Sequence, residues 1–181
     1  MTSPIYYTAE MVRAMPEDGK RYEVIRGELL VTPVPRQGHQ QLVHRLGMAL
    51  QDYLERERVG HLVMAPADVS WGSRDTLVQP DLFVVPLEDS HAGNGEEFQT
   101  LLLVVEVLSS ATARADRFTK RREYQSRGVP AYWIVDGEER RVEIWTPEAE
   151  LPAVVFTEVS WQPEGGRKPF ALSLTELFRP L

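Results

Sequence analysis

Two short apolar runs, each bordered by a carboxylate, do most to limit what this chain can become. They lie in VQPDLFVVPLEDSHAGNGEEFQTLLLVVEVLSS, residues 78–110. Leu82–Val85 follows Asp81, and Leu101–Val105 runs into Glu106. Both runs are rich in valine and leucine and too short for an ordinary helix, so they read as strands buried on two faces. An acid flush against such a strand must find a cationic partner, bind a metal ion or keep its proton, because an isolated buried carboxylate is costly. If the connection between the runs lays the strands side by side, Asp81 and Glu106 converge at the rim of a sheet. Hard oxygen donors in that arrangement suit Mg²⁺ or Mn²⁺.

The rest of the chain supplies layers for those strands. Thr8–Met15 reads as a short helix capped by Thr8. Tyr22–Ile25 and Glu28–Val31 form a hairpin about Arg26-Gly27. Gln37–Arg58 is the clearest helix, with Leu42, Leu46, Leu50, Tyr53 and Leu54 on one stripe and Gly60 at its C-terminal end. His61–Trp71 is expected as a strand broken at Pro66, and Glu88–Gln99, with His91, as a surface loop. Ala111–Arg127 is expected as a helix, and Ala131–Val135 and Arg141–Thr146 as strands. In the tail, Val154–Trp161 reads as a strand, Pro163–Pro169 as a loop and Leu172–Phe178 as a helix. The order predicts a single α/β (α+β) domain with a central mixed sheet flanked by helices and an N-terminal hairpin. Its core spans about residues 21–146, with an extension over 147–181.

The 181 residues carry a net charge of −7 with 43% hydrophobic and 26% charged side chains, the composition of an ordinary soluble globular protein. With no cysteine, disulfides and thiolate chemistry are excluded. No run approaches the ~18 apolar residues that cross a bilayer. The first residues lack the basic start and apolar stretch of a secretory signal. A cytoplasmic location without membrane association is therefore expected. The acidic balance argues against non-specific coating of nucleic acid, since that affinity comes from neutralising phosphates. A local basic face is needed, and residues 114–127 offer one, with six Lys or Arg against Asp116 and Glu123. Lys120 on that helix has the length to reach back toward the strand ends, where it would orient a water or stabilise transition-state charge. On spacing alone a basic helix is usually a solvated face laced with i,i+4 pairs, and Asp116 and Lys120 have that spacing. His39 and His44 likewise fit surface or partly buried helix histidines. No G-x-S-x-G motif or histidine metal cluster is present, which leaves small-molecule hydrolysis with little support.

Taken together, several segments resemble the Uma2-type endonucleases, a family long known as a domain of unknown function, within the PD-(D/E)XK restriction-endonuclease-like superfamily. The resemblance covers roughly residues 21–145. It is carried by RYEVIRGELLVTPVP, Gly38-His39-Gln40, VQPDLFVV, LLLVVEVLSSAT with Asp116 and Lys120 beyond it, and GVPAYWIVD. It implies a restriction-endonuclease-like sheet and a metal-dependent endonuclease that hydrolyses DNA phosphodiester bonds with Mg²⁺ or Mn²⁺. Asp81 matches the first acid of the superfamily pattern and Glu106 the second. Leu108 stands where the pattern has lysine, and the resemblance implies that Lys120 takes over that role from the following helix. Catalysis would then rest on Asp81, Glu106 and Lys120, and the metal on Asp81, Glu106 and Glu28. Glu23, His39 and Tyr124 are supporting candidates, while Arg117 and Arg121 would contact backbone phosphates. Restriction-like nucleases often pair two sites against two strands, so a homodimer is expected. The competing expectation is a catalytically inactive nuclease-like fold serving as a nucleic-acid-binding or oligomerisation module. The acidic charge and the lack of a separate DNA-reading domain favour that alternative.

Overall fold

A computed structural model of the chain describes residues 5–89 and 98–180. Helix α1 (Ala9–Arg13) opens it, capped by Thr8, whose Oγ1 accepts from the Met11 N–H at 3.2 Å. Strands β1 (Arg21–Ile25) and β2 (Glu28–Thr32) follow as an antiparallel hairpin, with Arg26 and Gly27 both at positive φ in the turn. Helix α2 (Gln37–Glu57) then leads to β3 (His61–Met64), which stops short of Pro66, whose ring removes the next donor. Arg58, at φ 55°, takes the left-handed position that ends α2. Gly60, expected there, instead lies against β4 (Leu82–Val85), where a Cβ would sit 2.6 Å from the Val85 carbonyl oxygen.

β4 is followed by β5 (Leu103–Val107), and then by a π-helical turn, Ala115–Lys120, running into α3 (Arg121–Ser126). After these come β6 (Tyr132–Asp136), β7 (Arg141–Trp145) and β8 (Ala153–Val155). β3 to β8 form a six-stranded mixed sheet in sequence order, parallel between β5 and β6 and antiparallel elsewhere. The valine- and leucine-rich runs alternate between two cores. Leu82, Val84, Leu103, Val105, Trp133 and Val135 pack beneath α2, against Leu46, Leu50 and Leu54. Phe83, Val85, Val104, Tyr132 and Ile134 pack on the opposite face with Tyr124 of α3 and Ile25 of the hairpin. Burial on two faces is what a continuous apolar run without polar alternation requires.

Several boundaries differ from the sequence reading: the helix expected from Ala111 takes the form of the π-helical turn from Ala115 and then α3, and the strand expected to resume after Pro66 leaves only a Val69–Val78 bridge. β5 is shifted two residues toward its end, because its ladder with β6 extends to Val107 opposite Val135. Glu106 therefore sits inside the strand, opposite Ile134, rather than just beyond it. The tail strand splits at Phe156-Thr157 into β8 and β9 (Glu158–Trp161). The expected Leu172–Phe178 helix gives up its start to β10 (Phe170–Ser173), paired with β9, and α4 spans Leu174–Leu177. Phe170 faces Trp161 in that pair, and both join Tyr53 in the α2 core. Of the expected surface loop at Glu88–Gln99, residues 90–97, including His91, lie outside the described residues. Among the described residues no helix is long and apolar enough to cross a membrane.

Candidate active site

The β4–β5 register sets the two acids against each other. Leu82 faces Val105 and Phe83 faces Val104, so one further step brings Asp81 opposite Glu106. Phe83 and Val104 point into the core that contains Tyr124, and strand alternation places both carboxylates on that same side. They are 3% and 2% exposed. Around Asp81 three elements converge. Arg21 Nη1 of β1 donates to its Oδ1 at 2.9 Å and also to the Gln79 carbonyl at 2.9 Å. The Val107 N–H donates to its Oδ2 at 2.9 Å, and His39 Nε2, from the first turn of α2, lies 3.1 Å from the same oxygen. Burial alone would push the Asp81 carboxyl up. The His39 contact, the Arg21 charge and the Val107 N–H outweigh it and hold the group at about 2.

Glu106 has the opposite fate. Its Oε1 accepts from Lys120 Nζ at 2.9 Å and from the Tyr124 hydroxyl at 3.1 Å. Lys120 Nζ also lies 2.9 Å from Glu23 Oε2 and 3.7 Å from Asp116 Oδ1. Burial raises Glu106 well above the usual carboxylate range, opposed by Lys120 and reinforced by Asp81, Asp116 and Glu23. Asp116 is pushed up to about 6, again mainly by burial, against the pull of Lys120 and a Thr112 hydrogen bond. Burial works to discharge Lys120, but Glu106, Glu23 and Asp116 together overcome it and keep the ammonium charged. Burial and the neighbouring Glu106 raise the Tyr124 phenol, which keeps it a neutral donor. Asp116 and Lys120 both face inward from the π-helical turn, a local irregularity found disproportionately at functional sites.

Six of the expected residues thus meet in one cluster: Asp81, Glu106, Lys120, Glu23, His39 and Tyr124. Three do not. Glu28 shares the inward face of the hairpin with Glu23, but it lies at the turn, opposite Ile25, and is exposed. The hairpin's contribution is Glu23, opposite Leu30 and fully buried. Arg117 is bound within the chain, its Nη2 2.9 Å from Asp136 and 2.7 Å from Glu143. Arg121 folds onto its own helix, donating to the Arg117 carbonyl, and its guanidinium stacks 4.6 Å from the Trp145 ring centre. Arg117 and Arg121, the two arginines expected to meet phosphates, are therefore held by groups of this chain. Two site residues escaped the sequence reading. Asp116 was legible as the i,i+4 partner of Lys120 but not as buried. Arg21 carried a signal in its i,i+2 spacing to Glu23, which puts both on one face of β1.

The cluster opens into a cleft of about 970 Å³ between the hairpin, the first turns of α2 and the C-terminal residues. Eight of the side chains lining it are Lys or Arg and four are Asp or Glu, so a chain of net charge −7 concentrates cations there. The exposed side chains of Lys20, Arg36, Arg140 and Arg179 form its rim, where Lys20 also lies 2.7 Å from Asp18 and Arg179 3.5 Å from Glu176. Among the described residues no three His, Cys, Asp or Glu side chains form a group that could hold a metal ion. What the chain offers is two opposed carboxylates at a cleft. That fits a small hard cation by donor type, since Mg²⁺ is commonly held by one or two carboxylates, with water and substrate phosphate completing its shell.

No curated protein matches the chain. Among solved structures, a protein from Anabaena variabilis ATCC 29413 described as a putative nuclease belonging to DUF820 superposes with a TM-score of 0.77. It is 18% identical, and the match covers 95% of this chain and 97% of that one. At that identity the likeness is one of fold. The family model described as "Uma2: Putative restriction endonuclease" matches residues 9–173. Those residues include both strands of the acid pair, the hairpin and the π-helical turn, and the chain belongs to the Uma2 family.

Proposed function

We propose that the chain is a Mg²⁺- or Mn²⁺-dependent endonuclease that hydrolyses DNA phosphodiester bonds at the Asp81–Glu106 pair. The observation that carries this reading is the position of Lys120, whose Nζ lies 2.9 Å from Glu106 although it belongs to the following helix. An acid pair and a charged lysine are thereby joined at a cation-rimmed cleft. A divalent ion held by Asp81 and Glu106 would acidify a bound water and neutralise charge building on the phosphoryl group. The chain's own groups do the rest. Lys120 offers ammonium protons to the attacking water or to a non-bridging oxygen, in a buried setting where such a charge acts strongly. Tyr124 fixes the Glu106 carboxylate, and His39 and the Val107 N–H fix Asp81. The cations of the rim take the flanking phosphates, which position a nucleic acid without reading its sequence.

The test is Asp81→Asn, assayed for Mn²⁺-dependent nicking of plasmid DNA alongside circular dichroism of the folded protein. Cleavage should vanish with the spectrum unchanged, and undiminished cleavage would refute the assignment. The active form on this reading is a homodimer, which sedimentation with and without a short duplex examines.

One observation favours a second reading. Both acids already hold cations of this chain, Arg21 at Asp81 and Lys120 at Glu106, as they would in a nuclease-like fold that only binds nucleic acid or assembles with other copies. Calorimetric titration with Mn²⁺ separates the two. The nuclease shows one site that Asp81→Asn removes, and the non-catalytic module shows none.

A further inference from the structure

The two cations in the site are held in different ways. Lys120 is 3% exposed by its side chain and enclosed by Glu106, Glu23 and Asp116. Arg21 is 20% exposed, holds one carboxylate and one backbone carbonyl, and lines the cleft beside Lys20. A guanidinium cannot give way by losing its proton, so it can yield its place at Asp81 only by moving. A divalent cation taking Asp81 would meet that positive charge at a carboxylate oxygen already bonded at 2.9 Å. The two cannot share the carboxylate at low cost. Once displaced, the side chain has open cleft before it, and its planar fork matches two oxygens of a phosphate. Resting on the metal-dependent reading above, we propose that Arg21 is an exchangeable counter-ion. It neutralises Asp81 until a divalent cation binds, and then turns into the cleft to hold a substrate phosphate.

The experiment measures binding rather than turnover. Mn²⁺ is titrated calorimetrically into the wild-type protein, Arg21→Gln, Arg21→Lys and Arg21→Gln combined with Asp81→Asn. Removal of the competing charge should tighten Mn²⁺ binding at least tenfold in Arg21→Gln, while Arg21→Lys stays near wild type and the double variant binds none. Because Arg21→Gln leaves Asp81 without its cation, its melting temperature should fall in EDTA and recover with Mn²⁺ by more than the wild type gains. This readout also keeps the test usable if the variant is fragile. With Mn²⁺ saturating, inorganic phosphate should bind the wild type at least fivefold more tightly than Arg21→Gln. Unchanged or weaker Mn²⁺ affinity in Arg21→Gln, with the wild type still binding, overturns the counter-ion role alone. Equal phosphate affinity overturns the release into the cleft. If neither wild type nor Arg21→Gln binds Mn²⁺, the metal-dependent reading falls and this proposal falls with it.

Discussion

An ammonium surrounded by three carboxylates, as Lys120 is by Glu106, Glu23 and Asp116, does a task that no neutral side chain of the same length can inherit. Removing one partner of a buried ion pair leaves an uncompensated charge and costs about 3–5 kcal/mol. Lys120→Met should therefore lower the melting temperature at pH 7 by roughly 6–20 °C, at about 2–4 °C per kcal/mol for a chain of this size. Thermal denaturation checks it, and a shift under 2 °C would show that the cluster is not charged as described. Protonation sets the acid side of the same balance. Asp116 holds its proton to about 6 in the fold, against an ordinary 3.8. The unfolded chain releases that proton near pH 4 and the folded chain near pH 6, so Asp116's contribution is fully present below 4 and lost as pH rises to 6. Asp81, held at about 2, works in the other direction, contributing above 3.8 and losing that contribution as pH falls toward 2. Asp116→Asn removes the first titration and leaves the second. The variant's melting temperature relative to wild type should climb between pH 4 and pH 7, and a difference that stays flat across that window would contradict the burial of Asp116.

The hairpin, the π-helical turn and the β4–β5 pair each bring one part of the site, and they were legible to different degrees. The β4–β5 pair was the clearest, because uninterrupted valine- and leucine-rich runs too short for a helix read as strands buried on two faces. The hairpin was half legible. Glu23 and Glu28 share one face of it, so alternation could not choose between them; how far along the hairpin the α3 layer reaches decides, and that is a tertiary fact. The basic helix was ambiguous for a similar reason. Its charges looked solvated or phosphate-facing, whereas Asp136 and Glu143, which claim Arg117, arrive from β6 and β7. The hairpin and the basic helix can each be tested by one substitution. Gly27, at φ +81°, makes the turn that carries Arg21 and Glu23 to the site. Gly27→Ala places a Cβ in a left-handed conformation costing about 1–2 kcal/mol and crowds the Tyr6 ring. Faster amide exchange in β1 and β2 than in β4 and β5 is the expected signature. Arg117→Gln removes the nearer cation of two nearly buried acids and leaves them only Arg141, 3.7 Å from Asp136 and 3.6 Å from Glu143, so its main effect should be a lowered melting temperature. Weaker nucleic-acid affinity at unchanged stability would instead restore Arg117 to phosphate binding.

At the scale of the whole molecule, charge is the property that composition conceals. A net −7 implies weak attraction to polyanions, yet the fold gathers Lys20 from before β1, Arg36 from the start of α2, Arg140 from the turn between β6 and β7, and Arg179 from the C-terminal segment into one rim. No contiguous stretch of sequence displays that grouping. It exists because the sheet order brings the β6–β7 turn and the residues after α4 to the end of the sheet where α2 begins, an arrangement tied by Arg45 to the Leu177 carbonyl and by Arg140 to that of Phe178. If the proposed nuclease reading holds, these cations rather than the basic helix set the salt dependence of DNA binding. Removing one cation that neutralises a phosphate should reduce the slope of log affinity against log salt by about 0.9. Arg36 is exposed at the N-cap of α2, so Arg36→Gln should weaken binding to all duplexes alike, lower that slope by about one, and leave the melting temperature unchanged. Arg121→Gln is the counterpart. It removes a guanidinium already stacked on Trp145, so the slope should hold while stability drops by about 0.5–1 kcal/mol. The opposite pattern in the two variants, measured by fluorescence anisotropy from 50 to 300 mM salt (on the order of the range where such slopes are read), would return phosphate binding to the helix.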